Sequence, residues 1–279
     1  MPPRRLRLDA ELVRRGLARS RDHAAELIAA GRVRVGGAVA TKPATGVTTD
    51  VAVVVTDDPD RPDYVSRGGH KLAGALAAFG PLGFVVDGRR CLDAGASTGG
   101  FTDVLLRAGA ARVVAVDVGY GQLAWPIRQD ERVLVLDRTN VRDLTLDLVG
   151  DPVDVVVGDL SFISLQLVLD ALLGVCAPHA DLALMVKPQF EVGKDRVGRG
   201  GVVRDLDLRA ESVAGVAAAA AARGWGARAV VTSPLPGPSG NVEFFLWLRH
   251  GAAEIDQDDI RAEVARSGAE GWSGERVDP

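Results

Sequence analysis

The sequence predicts an α/β protein: a doubly wound, mainly parallel sheet of seven strands, the last antiparallel, preceded by a small α+β module. Three observations carry this. From Cys91 onward, short apolar runs alternate with helix-period segments, the pattern of a sheet covered on both faces. Before residue 60 the chain instead shows two short helix patterns and very short strands. Charge is also divided: residues 1–56 hold ten Arg/Lys against five Asp/Glu, and residues 251–279 hold eight acids against three arginines.

In the front module, Asp9–Gly16 reads as a helix with Asp9 as a possible N-cap. Ser20 caps a second helix, Arg21–Ala30, which Gly31 ends. Val33–Val35, a Gly36-Gly37 turn and Val39–Thr41 read as a tight hairpin, and Val51–Val55 as a further strand. The segment ARSRDHAAELIAAGRVRVGGAVATKPATGV, most of all its GRVRV stretch, resembles the S4 RNA-binding domain. The excess of arginine supports a polyanionic partner. Arg4, Arg19, Arg21, Arg32 and Arg34, with Arg67 further on, are the candidate RNA contacts.

Residues 1–60 thus form the front module, with a charged, Pro-containing linker to about residue 65. Ser66 caps a helix running to about Phe79. Strands are expected near Arg90–Asp93, Arg112–Asp117, Val133–Leu136, Val153–Asp159, Leu182–Lys187, Ala227–Thr232 and Val242–Arg249. Helices are expected near Gly99–Ala108, Ser164–Val175 and Asp207–Arg223. The sheet domain spans 66–250, and 251–279 is an acidic tail with no assigned role.

Composition narrows the class. Hydrophobic residues make up 47% and charged residues 25%, the ordinary soluble range. No apolar run reaches the roughly 18–20 residues of a membrane span. The charged N-terminus leaves no room for a signal-peptide apolar region, so the expected location is the cytoplasm. Cys91 and Cys176 read as buried free thiols, Cys91 opening a strand and Cys176 closing a helix. Four scattered histidines and two cysteines show no metal-ligand spacing, so no metal is expected.

The central motif is CLDAGASTGGFT, residues 91–102, between a strand and a helix. Glycines let backbone approach a ligand at the carboxyl end of a sheet. Asp93, Gly95, Ser97, Thr98, Gly99, Gly100 and Phe101 are the candidate cofactor contacts there. The spacing differs from G-x-G-x-x-G, and Asp93 ahead of the glycines disfavours a pyrophosphate. It favours a ligand with an ammonium group and no phosphate, which S-adenosylmethionine satisfies. Asp117, followed by Val118, ends the next strand, where a carboxylate can accept ribose hydroxyls; dehydrogenases share that feature. Asp137 and Asn140 follow the third strand and either bind an adenine edge or cap a loop. Asp159 ends the fourth. Four acids at successive strand ends are hard to explain by packing, because an unpaired buried carboxylate costs several kcal/mol.

Lys187 ends the fifth strand, Glu243 opens the last, and Lys71 sits on the helix before the sheet. With Asp159 they form the candidate catalytic set. SRGGHKL, LDAGASTGGFTD, VDVGYGQL, DRTNVR, DLSFISL, VKPQFEVG and GNVEFF together resemble the FtsJ/RrmJ-type ribose 2′-O-methyltransferases, which are class I methyltransferases. With the S4-like front, the chain resembles the TlyA family, also called haemolysin-like. That resemblance implies S-adenosylmethionine as cofactor and methylation of cytidine ribose in ribosomal RNA of both subunits. A ribose hydroxyl is a weak acid and needs a base, for which Lys187 is the candidate. Burial and a second lysine favour a neutral amine, whereas nearby carboxylates oppose it. Orienting the hydroxyl is a further source of rate. Two other readings are a membrane-active haemolysin and a non-catalytic RNA-binding protein; the first lacks a spanning segment, and the second leaves the strand-end acids and lysines unexplained. The loop 191–204, with four glycines and little apolar content, is expected to be mobile.

Overall fold

Leu8, Leu12, Leu27 and Ile28 recur at helical spacing, and all are buried in one small core with Ala24, Val33 and Val47. The computed structural model describes residues 5–56 and 62–269; Arg4, a candidate RNA contact, lies outside them. The chain divides into two units, Met1–Asp63 and Tyr64–Pro279.

The first unit runs β1 (Leu6–Arg7), α1 (Leu8–Arg14), α2 (Arg21–Ala29), β2 (Val33–Val35), β3 (Ala38–Val39), β4 (Gly46–Val47) and β5 (Val53–Val55). Ser20 caps α2, its side chain accepting from the His23 N–H. Gly36 and Gly37 both take positive φ, +56° and +88°, as a tight hairpin between β2 and β3 demands. β5 adds to the other edge of β2. The β1–β4 pair was not expected, since two-residue strands leave no period to read. Nor is Asp9 the N-cap of α1. Arg7 holds that position, and Asp9 is the second residue of the helix, buried and ion-paired with Arg7 and Arg21.

The second unit starts with α3 (Gly68–Phe79). Arg67, not Ser66, occupies its N-cap position, without a side-chain capping bond. Then follow β6 (Arg90–Ala94), α4 (Gly100–Arg107), β7 (Arg112–Val116), α5 (Trp125–Arg128), β8 (Val133–Leu136), α6 (Leu146–Val149) and β9 (Val153–Gly158). The chain closes with α7 (Leu169–Gly174), β10 (Cys176–Val186), α8 (Pro188–Glu191), α9 (Leu206–Ala221), β11 (Trp225–Thr232), β12 (Phe244–His250) and α10 (Gln257–Ala269). The seven strands are ordered β11-β12-β10-β9-β6-β7-β8, parallel except for β12, which is antiparallel to both neighbours.

Strand alternation divides the core in two. Leu92, Val114, Val156, Leu184 and Leu246 face the side covered by α7, α9 and α10. Cys91, Val113, Val155, Met185 and Trp247 face the side covered by α3 and α4. Both faces are apolar, as a doubly wound sheet requires.

The stretch expected as one helix, 164–175, is a 3-10 turn over Leu165–Leu167 followed by α7. Cys176 then opens β10 rather than closing a helix, and is half-buried. The β10 register shifts between Cys176 and Asp181, where Pro178 has no N–H to give the ladder. The acidic tail contributes α10, which buries Ile260 and Val264 in the sheet's core. Among the described residues no helix is long and apolar enough to cross a membrane.

Candidate active site

Register fixes where the charged residues stand. Gly158 pairs with Ala94 on one side and Leu184 on the other, and Val186 pairs with Phe244. Asp159, Lys187 and Glu243 each lie one residue beyond these pairs. Because β12 runs antiparallel, its start lies at the carboxyl end of the parallel strands. All three side chains therefore emerge on one edge of three adjacent strands, the usual location of a ligand crevice.

Two ion pairs occupy that edge. Lys71 Nζ donates to Glu243 Oε2 at 2.6 Å, with both residues buried, and lies 3.9 Å from Met185 Sδ. Lys187 Nζ stands 2.6 Å from Asp159 Oδ1, and donates its aligned hydrogen bond to Ser161 Oγ at 2.9 Å. The carboxylate contact is off-axis, so Asp159 Oδ1 is ion-paired yet has no aligned donor. Glu243 Oε1 is also buried without a hydrogen-bond partner. The structure thus assembles the four predicted residues as Lys71–Glu243 and Lys187–Asp159.

The turn after β6 adjoins this edge. Gly95 and Gly99 take φ of +85° and +95°, and Ser97 +47°, a conformation that favours glycine. A Cβ on Gly95 would come within 3.1 Å of the Asp159 carbonyl oxygen, so the glycine lets these two segments meet. Asp93 is fully buried. Thr102 Oγ1 donates to its Oδ2 at 2.7 Å, while Oδ1 has no partner. Burial pushes its carboxyl up to about 7, with Asp159 and Asp117 adding to the rise and the Thr102 bonds opposing it. Asp117 accepts from the Ser97 N–H at 2.8 Å and the Gly119 N–H at 2.7 Å, which draws the turn and the β7 loop together.

Other expected contacts fall elsewhere. Phe101 is buried against Phe245, on the inward face of α4, and does not line the turn. A Cβ on Gly100 would collide with Ser66 Oγ and the Gly69 backbone, so that glycine serves helix packing. Ser97 and Thr98 are exposed at the turn, as is Val118 beyond β7. Asp137 pairs with Arg128 at 2.9 Å, and Asn140 caps a 3-10 turn by accepting from the Arg142 N–H; capping was one of the two roles left open for that loop.

The arginines assigned to RNA also have protein partners. Arg19 pairs with Asp63 at 2.8 Å and Arg21 with Asp9 at 2.9 Å. Arg32 donates to the Thr56 carbonyl, Arg34 to that of Gly37 and Arg67 to that of Pro236. These bonds leave the side chains at the surface while fixing their direction.

Sequence reasoning missed several residues. Glu191 accepts from Ser164 Oγ at 2.6 Å and the Leu165 N–H at 2.8 Å, tying the segment after β10 to that after β9. Burial raises its carboxyl above the ordinary range. Asn241 accepts from the Val203 N–H and donates to the Gly201 carbonyl. With Val192, Val202 and Val203 buried, both ends of the loop 191–204 are anchored to the fold. Its low apolar content concealed this anchoring, because only four valines punctuate it and the fourth, Val197, lies half-buried in its middle.

Comparison with known proteins agrees with this architecture. The FtsJ-like methyltransferase family model matches residues 64–250 and the S4 domain model residues 6–53. A Mycobacterium tuberculosis protein named 16S/23S rRNA (cytidine-2'-O)-methyltransferase TlyA is 63% identical over 246 residues, 88% of this chain and 90% of that protein. Hemolysin A of Brachyspira hyodysenteriae is 36% identical over 86% of this chain and 98% of its own. The solved structure of a hemolysin-named protein from Streptococcus thermophilus is 34% identical, with a TM-score of 0.72, covering 96% of this chain and 97% of that one. The chain belongs to the TlyA family of FtsJ-like methyltransferases, with an S4 domain ahead of the catalytic fold.

Proposed function

We propose that this protein moves the methyl group of S-adenosylmethionine to the 2′-hydroxyl of cytidine in ribosomal RNA of both subunits. The observation that carries this reading is the pair of contacts between a buried lysine and a carboxylate, both at 2.6 Å, on one sheet edge beside the glycine turn. The name of the 63%-identical relative supports the substrate.

The turn fits the cofactor. Asp93 Oδ1 is a buried acceptor with no partner, suited to an ammonium group. Asp117 uses two of its roughly four lone-pair sites on backbone donors and keeps the rest for ribose hydroxyls. Exposed Ser97, Thr98 and Val118 border the same space. S-adenosylmethionine supplies an electrophilic methyl group when bound.

The chain's own groups handle the proton. Lys187 Nζ, held 2.6 Å from Asp159 Oδ1, is placed as the base: in its amine form it accepts the proton of the 2′-hydroxyl while the oxygen bonds to the methyl carbon and the carbon–sulfur bond breaks, leaving a neutral thioether. Ser161 fixes the amine's direction. The Lys71–Glu243 pair places a second charge pair, with both residues buried, at the same edge and helps orient the hydroxyl. The arginines of the S4 unit contact phosphates and so dock the RNA, while Arg67 adds one contact from the catalytic unit.

Cofactor affinity should depend on pH through Asp93. A carboxyl raised to about 7 is protonated below that pH, and a neighbouring ammonium favours the ionised form. Affinity should therefore fall as pH drops from about 8 to 6, by up to about tenfold per unit. Asp93→Asn should bind weakly at every pH. Calorimetric titration checks this, and a flat profile in the native chain would remove the proposed Asp93 contact. The activity itself is tested by offering labelled S-adenosylmethionine and ribosomal subunits, with liposome leakage measured in parallel. Label in RNA without leakage is the expected result; leakage without label would favour a membrane-active protein.

A further inference from the structure

Among the described residues of the acidic tail, one acid is buried. Glu254, Asp256, Asp258 and Asp259 are exposed, whereas Glu263 on α10 is only 8% exposed. Its Oε1 accepts from both the Thr232 N–H and Thr232 Oγ1, each at 2.7 Å, and Oε2 accepts from Arg266 Nε at 3.1 Å. A buried carboxylate is costly unless satisfied in this way.

Thr232 ends β11 and pairs with Phe244, the neighbour of Glu243. The next residue, Ser233, donates its N–H to the Glu243 carbonyl at 2.8 Å. The strap that follows, 233–241, reaches the catalytic pair from both sides. Gly237 lies against the Glu243 carboxylate so closely that a Cβ there would collide with it. Pro234 packs on Gly74 of α3, the helix that carries Lys71, where a Cβ would stand 2.6 Å from Pro234 Cγ. Arg67, just ahead of α3, donates to the Pro236 carbonyl at 2.9 Å.

We propose that Glu263 is a positioning residue for the Lys71–Glu243 pair, acting by fixing the root of this strap. The inference rests on the methyltransferase reading above. It assigns α10 a part in methyl transfer and none in cofactor binding, since three strands, β12, β10 and β9, separate β11 from the β6 turn.

The test uses the full chain, ribosomal subunits and S-adenosylmethionine. Glu263→Leu should slow single-turnover methyl transfer about tenfold, because small displacements of reacting groups are expensive. Cofactor affinity and the apparent KM for subunits should stay within about twofold. Glu263→Gln, which keeps the acceptor oxygen, should restore most of the rate. In a Glu243→Gln background, Glu263→Leu should add less than about twofold, the coupling expected of residues acting as a unit. If Glu263→Leu does not fold, Thr232→Val, which deletes one donor hydroxyl, replaces it with an expected loss of about threefold. A wild-type rate in the Glu263 variant, or a loss that multiplies in full on Glu243→Gln, would overturn the proposal. A wild-type rate in Glu243→Gln alone would instead overturn the catalytic reading on which it rests.

Discussion

Lys187→Met should bind S-adenosylmethionine and ribosomal subunits normally and transfer methyl groups at least about a thousandfold more slowly. The substitution keeps the length and apolar stem of the side chain but removes Nζ, the group between Asp159 and Ser161. General-base assistance contributes about 10²–10⁴ in rate, and orientation of the nucleophile adds to it. Asp159 is left without its cation, yet its side chain is 23% exposed and so can be solvated, and the fold should tolerate the change. The measurement is single-turnover transfer beside calorimetric cofactor binding. Transfer at the native rate would remove Lys187 from the chemistry. Lys71→Ala is a less clean probe, because it strands the fully buried Glu243, and breaking a buried pair costs about 3–5 kcal/mol.

The second large effect concerns docking. The first unit has its own core around Leu8, Leu12 and Ile28, and the catalytic unit has two others that include none of these residues. Removing residues 1–63 should therefore leave cofactor affinity within about twofold while reducing kcat/KM on ribosomal subunits by about a hundredfold or more. Phosphate contacts make binding fall with salt, with a slope proportional to the number of charges engaged. The truncated chain should accordingly show a shallower salt dependence in filter retention. An unchanged slope and an unchanged rate would mean that the arginines of this unit are solvated surface and no more.

The seven-strand sheet was legible because its strands are largely apolar runs, such as Val133–Leu136, separated by turns and helices. Of the four residues proposed for catalysis, Asp159, Lys187 and Glu243 were legible for the same reason, since a charged residue at the end of such a run has few structural explanations, whereas Lys71 lies on α3. What stayed hidden depends on contacts between distant segments. Phe101 and Gly100 share a motif with Ser97 and Gly95, but the helical period of α4 turns Phe101 toward Phe245 and Gly100 toward α3. Glu191 and Asn241 pin segments 26 and 38 residues away, and no local pattern marks such bonds. The strands β1 and β4, two residues each, carry no period at all. Cys176 misled because Pro178 and a register shift interrupt the strand it opens.

Whether the methyl group goes to a ribose oxygen can be read directly from the modified RNA. Ribosomal subunits are labelled with methyl-tritiated S-adenosylmethionine and this protein, and the RNA is hydrolysed in alkali. Alkaline cleavage needs a free 2′-hydroxyl, so a 2′-O-methylated residue survives in a dinucleotide. Label is expected in alkali-resistant dinucleotides that yield 2′-O-methylcytidine on enzymatic digestion, and none with Lys187→Met. Label recovered in mononucleotides, as methylated base, would contradict it.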